Sequence, residues 1–195
     1  MSQIKNIFVF IGIVSLILII MVVVKLTPVV QQLSEFDPQA VKLYLNIAKR
    51  ALDERSGVEA MVIKVPVRQG LGPADVDDSI KIIANELDID NVGELPMYKE
   101  VQKLSGMPYR YTKIYLLCDA MIAASLLNHS DGFSSYLPCR ISVIEDAEGQ
   151  LWLYTLNMDI MIYGGRPLPP ALKQEAIKVR DTILEIMNRA ALGDF

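Results

Sequence analysis

Two cysteines, Cys118 and Cys139, and one histidine, His129, have the widest chemical range of any residues in this chain. A single imidazole removes every one-chain site that needs two or three of them, including the common catalytic zinc, blue-copper and non-haem iron centres. There is no Cys-x-x-Cys, with or without a following His, so redox-motif and covalent-haem chemistry have no anchor. Gly-x-x-x-x-Gly-Lys-Ser/Thr and Gly-x-Gly-x-x-Gly are absent, as is Gly-x-Ser-x-Gly. His129 lies near Ser125, Ser130, Ser134 and Ser135, but no nucleophile elbow surrounds them. Its setting, Leu127-Asn128-His129-Ser130-Asp131-Gly132, reads as an exposed helix end. No catalytic residue and no cofactor is assigned.

The thiols leave three readings open. Cys118 ends one predicted strand and Cys139 begins another. If both strands share a sheet, a disulfide could close a loop of about 20 residues, worth roughly 3 kcal/mol in the chain-entropy model. Its α-carbons would have to lie within about 7 Å of each other. Two buried free thiols are the second reading. The third is a redox or metal-binding pair, with Met158 and Met161 adding soft thioether ligands suited to Cu(I). Both methionines also suit a core. Asp75, Asp77 and Asp78 resemble a cation cluster, but they fit better as the acidic first turn of a helix.

The elements that must position these residues are legible from periodicity and punctuation. Asp37-Pro38 opens a helix carrying Val41, Tyr44, Leu45, Ala48, Ala51 and Leu52 at helical spacing, as a stalk or packing helix. Val58–Val67 reads as a strand. Val76, Ile80, Ile83 and Leu87 predict a second helix, and Pro96–Leu104 a short third, closed by Ser105-Gly106. Tyr109–Cys118 is a strand and Ala120–Leu127 a helix. Cys139–Glu145 and Gln150–Asn157 form a hairpin, and Ala171–Ala190 is a last helix with Leu172, Ala176, Val179, Ile183, Ile186 and Met187 on one face. Hairpin connections with interspersed helices predict an α+β fold with an antiparallel sheet.

The N-terminus differs in kind from the rest. Ile7 to Val24 contains no charge and only Gly12 and Ser15 as interruptions. As a helix it spans roughly 27 Å, close to the ~30 Å hydrocarbon core. No small-residue cleavage site follows, so an uncleaved anchor is favoured over a signal peptide. The bilayer would be engaged through residues 6–26. This anchor explains why the chain as a whole is 52% hydrophobic. The remaining residues carry a net charge of −6, which disfavours nucleic acid and anionic lipid as main partners. Lys5 and the terminal amine against Lys25 favour a cytoplasmic N-terminus. The organisation read is therefore an anchor over 1–27, a linker and stalk helix over 28–57, and an α+β domain over 58–195.

Tyr111-Thr112-Lys113-Ile114-Tyr115-Leu116-Leu117-Cys118-Asp119-Ala120, then Ala123 to Leu127, then Leu137-Pro138-Cys139-Arg140-Ile141-Ser142-Val143-Ile144-Glu145-Asp146 resembles the bacterial domain of unknown function 302 family. That family tends to carry Cys-Asn-Pro after a strand and Leu-Pro-Cys opening another. Both cysteines and Leu137-Pro138-Cys139 are kept. Asp119-Ala120 stands where the family has Asn-Pro, and Asp159-Ile160 where it has a later Asp-Pro. The resemblance covers roughly residues 58–190. It implies a compact α+β domain, with an antiparallel curved sheet packed against helices, often paired as a homodimer. It marks Cys118, Cys139 and Asp159 as family-positioned candidates and carries no activity with it.

The expected function is that of a single-pass, membrane-anchored accessory or interaction protein, such as a subunit of a membrane complex. The expected location is the bacterial inner membrane, with the domain in the periplasm or outside. The alternative is a small-ligand or copper-binding module built around Cys118 and Cys139. A thiol redox enzyme is a third, and it needs a thiol of lowered pKa.

Overall fold

The computed structural model describes residues 2–194, with side chains described at residue 8 and from residue 10 onward. The side chains of Lys5 and Ile7 lie outside the described residues. Helix α1 runs from Ser2 to Ser34, and its most apolar stretch reaches a mean hydropathy of 2.8 with none of it buried. It is long and apolar enough to cross a membrane. The helix continues past residue 27, the expected end of the anchor, into the linker. It passes through Pro28, whose missing N–H removes only one ladder bond. Thr27 Oγ1 donates to the Val23 carbonyl at 2.7 Å, strengthening that turn.

Helix α2 (Ala40–Asp53) follows. Here the predicted packing face is reversed. Ala40, Leu43 and Ile47 turn inward, while Val41, Tyr44, Leu45, Ala48 and Leu52 face outward. Both sets have helical spacing, and the deciding contact lies at the helix start. Buried Asp37 pairs with Lys173, its amide donates to the Gly165 carbonyl at 2.8 Å, and its Oδ1 accepts from the Gln39 amide at 2.9 Å. These bonds fix the rotation of α2 about its axis.

The strand predicted from Val58 starts later. Ser56 caps a helical turn, α3 (Gly57–Ala60), by accepting from the Glu59 amide at 3.2 Å. Strand β1 is Val62–Pro66. Helix α4 (Pro73–Glu86) buries Val76, Ile80 and Ile83 as predicted. Strand β2 (Asp90–Leu95) was not foreseen. Its polar sequence shows no alternation, and a bulge between Asn91 and Gly93 breaks its register. Next come α5 (Met97–Ser105), β3 (Thr112–Cys118), α6 (Ala120–His129) and a 3-10 turn (Asp131–Ser135). Strands β4 (Cys139–Glu145) and β5 (Leu151–Leu156) form the predicted hairpin. Helices α7 (Asp159–Tyr163) and α8 (Pro170–Leu192) complete the chain. The six residues expected on the buried face of α8 are all buried.

The five strands form one open antiparallel sheet in the order β1-β5-β4-β3-β2. The fold is α+β. Helices α4 and α8 cover one face, where Tyr115, Leu117, Ile141, Val143 and Leu153 meet Ile80, Ile83, Ile183 and Ile186. The register alternates Ile114, Leu116, Ile144, Trp152 and Tyr154 onto the other face, where they remain partly exposed. A second cluster joins α2 to the domain through Leu43, Leu126, Phe133, Ile162, Tyr163 and Leu172.

Candidate functional site

Strand register decides the fate of the cysteines. Cys139 lies opposite Leu117 in the β3–β4 ladder and so shares its inward face. Cys118 is the next residue along β3 and points to the opposite face. Both thiols are free, and no disulfide joins them. A one-residue offset in register thus sends the two thiols to opposite faces of the sheet.

Cys139 instead meets Met158, with Sγ donating to Sδ at 3.8 Å. Met158 follows β5 and is buried, and Met161 lies three residues on, in α7. Together with Tyr136, Arg140, Thr155 and Leu156, these three line a void of about 10 Å³. Three of the four soft-ligand candidates therefore converge, and Cys118 does not. Burial pushes the Cys139 thiol up to about 11, with the nearby Cys118 adding to the rise. Burial and the carboxylates of Asp119 and Asp90 push Cys118 up as well. Neither thiol has the lowered pKa that thiol redox chemistry requires.

The larger constellation was invisible in the sequence. The three aspartates of α4 diverge. Asp75, in the first turn, accepts from the Gly72 amide at 2.7 Å and so closes the start of α4. Asp78 stays exposed. Asp77 reaches across to the sheet, where one carboxylate oxygen takes bonds from Lys113 and from the hydroxyl of buried Tyr115. Its other oxygen accepts from Lys81 at 2.7 Å. Glu94 closes a ring, at 2.6 Å from Lys113 and 3.4 Å from Lys81. Four side chains from α4, β2 and β3 thus form a neutral square of alternating charge. Beside it opens a cleft of about 570 Å³, lined by Tyr98, Lys99 and Tyr111 as well as by Asp77, Glu94 and Lys113. The rings of Tyr98 and Tyr111 stack at 4.8 Å.

The square holds its members in one protonation state through the neutral range. Burial opposes the charge on Asp77, but bonds from Lys113, Lys81 and Tyr115 outweigh it and bring its pKa down to about 2. Glu94 is lowered in the same way, against its own burial, by Lys113 and Asn91. Asp77 raises Lys81, and it raises Lys113 together with Glu94 against the cost of burial. Burial raises both Tyr115 and Tyr111. These groups can present fixed charge and hydrogen bonds to a ligand. None is poised to pass a proton near pH 7.

The remaining sequence candidates are structural. His129 is exposed at the end of α6, its ring 6.4 Å from that of Phe133. Ser125 donates to the Met121 carbonyl at 3.1 Å, and Ser130 accepts from the Gly132 amide at 3.4 Å. Among the described residues, no group of three His, Cys, Asp or Glu could hold a metal ion.

The sequence profile of the domain of unknown function DUF302 matches residues 63–190. This chain belongs to the DUF302 family. A crystal structure of an uncharacterized conserved DUF302 protein from Bacillus stearothermophilus shares the fold, with a TM-score of 0.55 at 18% identity. The alignment covers 67% of this chain and 98% of that one. No curated protein matches the sequence. The DUF302 match begins inside β1, so α1 and α2 both precede it.

The positions that the resemblance singles out serve local structure here. Asp119 is the N-cap of α6, accepting from the Met121 and Ile122 amides at 3.0 Å each. Asp and Asn cap equally well, so the change from Asn preserves the helix start. Leu137–Pro138 is a cis peptide leading directly into Cys139. Asp159 opens α7 and pairs with Arg180 at 2.8 Å.

Proposed function

We propose that this chain is a single-pass, membrane-anchored interaction protein, an accessory subunit of a membrane assembly. In this reading its DUF302 domain is held outside the cytoplasm at the bacterial inner membrane. The observation that carries it is the outward stripe of α2. Val41, Leu45, Ala48 and Leu52 recur at spacings of four, three and four, and Leu45 and Leu52 are 65% and 79% exposed. An apolar stripe at that period is what a helix offers to a partner. It lies in the segment that precedes the DUF302 match, close after the bilayer-length helix. The occupant is an apolar helix of another membrane protein. The fixed protonation of the cleft fits binding better than proton-transfer catalysis.

The test is purification of the full chain from its native membranes in mild detergent, beside a variant carrying Leu45→Glu and Leu52→Glu. A stoichiometric membrane-protein partner, lost from the variant, supports the proposal. A wild-type chain that runs only as a monomer or homodimer under those conditions rejects it.

A further inference from the structure

Of the groups outside the charged cleft, the cluster of buried Cys139 and Met158 with half-buried Met161 goes furthest. Cys139, Met158 and Met161 come from β4, the β5–α7 connection and α7, and they converge on one void. The void of about 10 Å³ is close to the minimum that holds a single water, so it admits one atom and no organic ligand. Thiolate with two thioethers is a soft donor set that suits Cu(I), whereas magnesium and calcium need oxygen ligands and a structural zinc site takes four Cys, His or carboxylate donors, which this void does not offer. The spacing also fits. With metal–sulfur bonds of about 2.3 Å, sulfurs 3.8 Å apart subtend an angle of about 110° at the metal, within the range of trigonal or tetrahedral coordination.

We propose that Cys139, Met158 and Met161 form a buried binding site for one Cu(I) ion. Binding exchanges the thiol proton for the metal: Cys139 loses H⁺, its sulfur forms the bond to Cu(I), and no electron is transferred. The Cu(I)–thiolate pair is neutral, so binding adds no net charge to the site. Cys118, on the opposite face of the sheet, takes no part.

The experiment is anaerobic titration of the full-length chain in detergent with Cu(I), in competition with a chromophoric Cu(I) chelator. The wild type and Cys118→Ser are expected to bind one Cu(I) each, with a thiolate-to-metal absorption in the ultraviolet. Cys139→Ser is expected to lose affinity by more than about 100-fold, beyond the usual effect of losing an outer-shell partner. Met158→Leu and Met161→Leu, which conserve side-chain volume, are expected to weaken binding while leaving the fluorescence of Trp152 native. These two variants decide the matter if Cys139→Ser fails to fold. Unchanged affinity in both Met→Leu variants overturns the proposal. So does loss of binding in Cys118→Ser, or absence of stoichiometric binding by the wild type.

Discussion

At Asp77, two lysines and a buried tyrosine hydroxyl converge on one carboxylate. Its pKa falls from 3.8 to about 2, so its contribution to stability is fully present above about pH 4 and fades as the pH drops toward 2. Asp77→Asn should remove about 2 kcal/mol at neutral pH and flatten that acid limb. Denaturant titration followed through Trp152, the only tryptophan, measures both effects. Cys118 and Cys139 differ in access rather than in intrinsic activation. Alkylation at pH 8 should label Cys118 slowly and Cys139 only after unfolding, as read by mass spectrometry. At Gly164 a β-carbon would sit 2.2 Å from the Ile160 carbonyl oxygen. Gly164→Ala should therefore destabilise by about 1–3 kcal/mol, as overpacking does. The pairing of Cys139 with Met158 lay within the candidates that the sequence nominates. The ring around Asp77 did not, because it depends on the register of two strands against a helix, and that register is not a local property.

Helix α2 shows how periodicity can find an element and misplace its face. Two apolar stripes share its 14 residues, and the bonds of Asp37 to Lys173 and Gly165 and of Arg50 to the Glu59 and Val62 carbonyls hold the Leu43 stripe inward. Leu43→Ala should cost about 2–4 kcal/mol in chemical denaturation, as buried leucine truncations do. Leu45→Glu or Leu52→Glu should change stability by less than about 0.5 kcal/mol, as exposed positions do. Strand β2 escaped detection for a different reason. As an edge strand it needs no continuous apolar face, and its bulge removes the alternation that would reveal it. Helix α8 was legible almost entirely, since its six residues form one stripe: Val179, Ile183, Ile186 and Met187 pack on the sheet, and Leu172 and Ala176 join the second cluster.

For the molecule as a whole, the sequence divides cleanly where the physics does. Charge-free residues mark the bilayer-length helix, and alternating and helical patterns mark the DUF302 domain. Alkaline carbonate washing should leave the full chain in the membrane pellet, and deletion of residues 1–26 should release it. Less legible was the join between the two parts. The chain leaving α1 is tied to the domain through Glu35–Arg166 at 2.5 Å and through Asp37, partners more than 100 residues away in sequence.

The sheet order also dictates a sequence of events in synthesis. Strand β1 pairs only with β5, some 85 residues further along the chain. A chain made from its N-terminus therefore completes α1 while β1 still lacks its partner. Until Leu156 has emerged, β1 offers a bare hydrogen-bonding edge. The completion of this sheet is thus a late, long-range closure, and the interval before it is when the nascent domain is most exposed to mispairing.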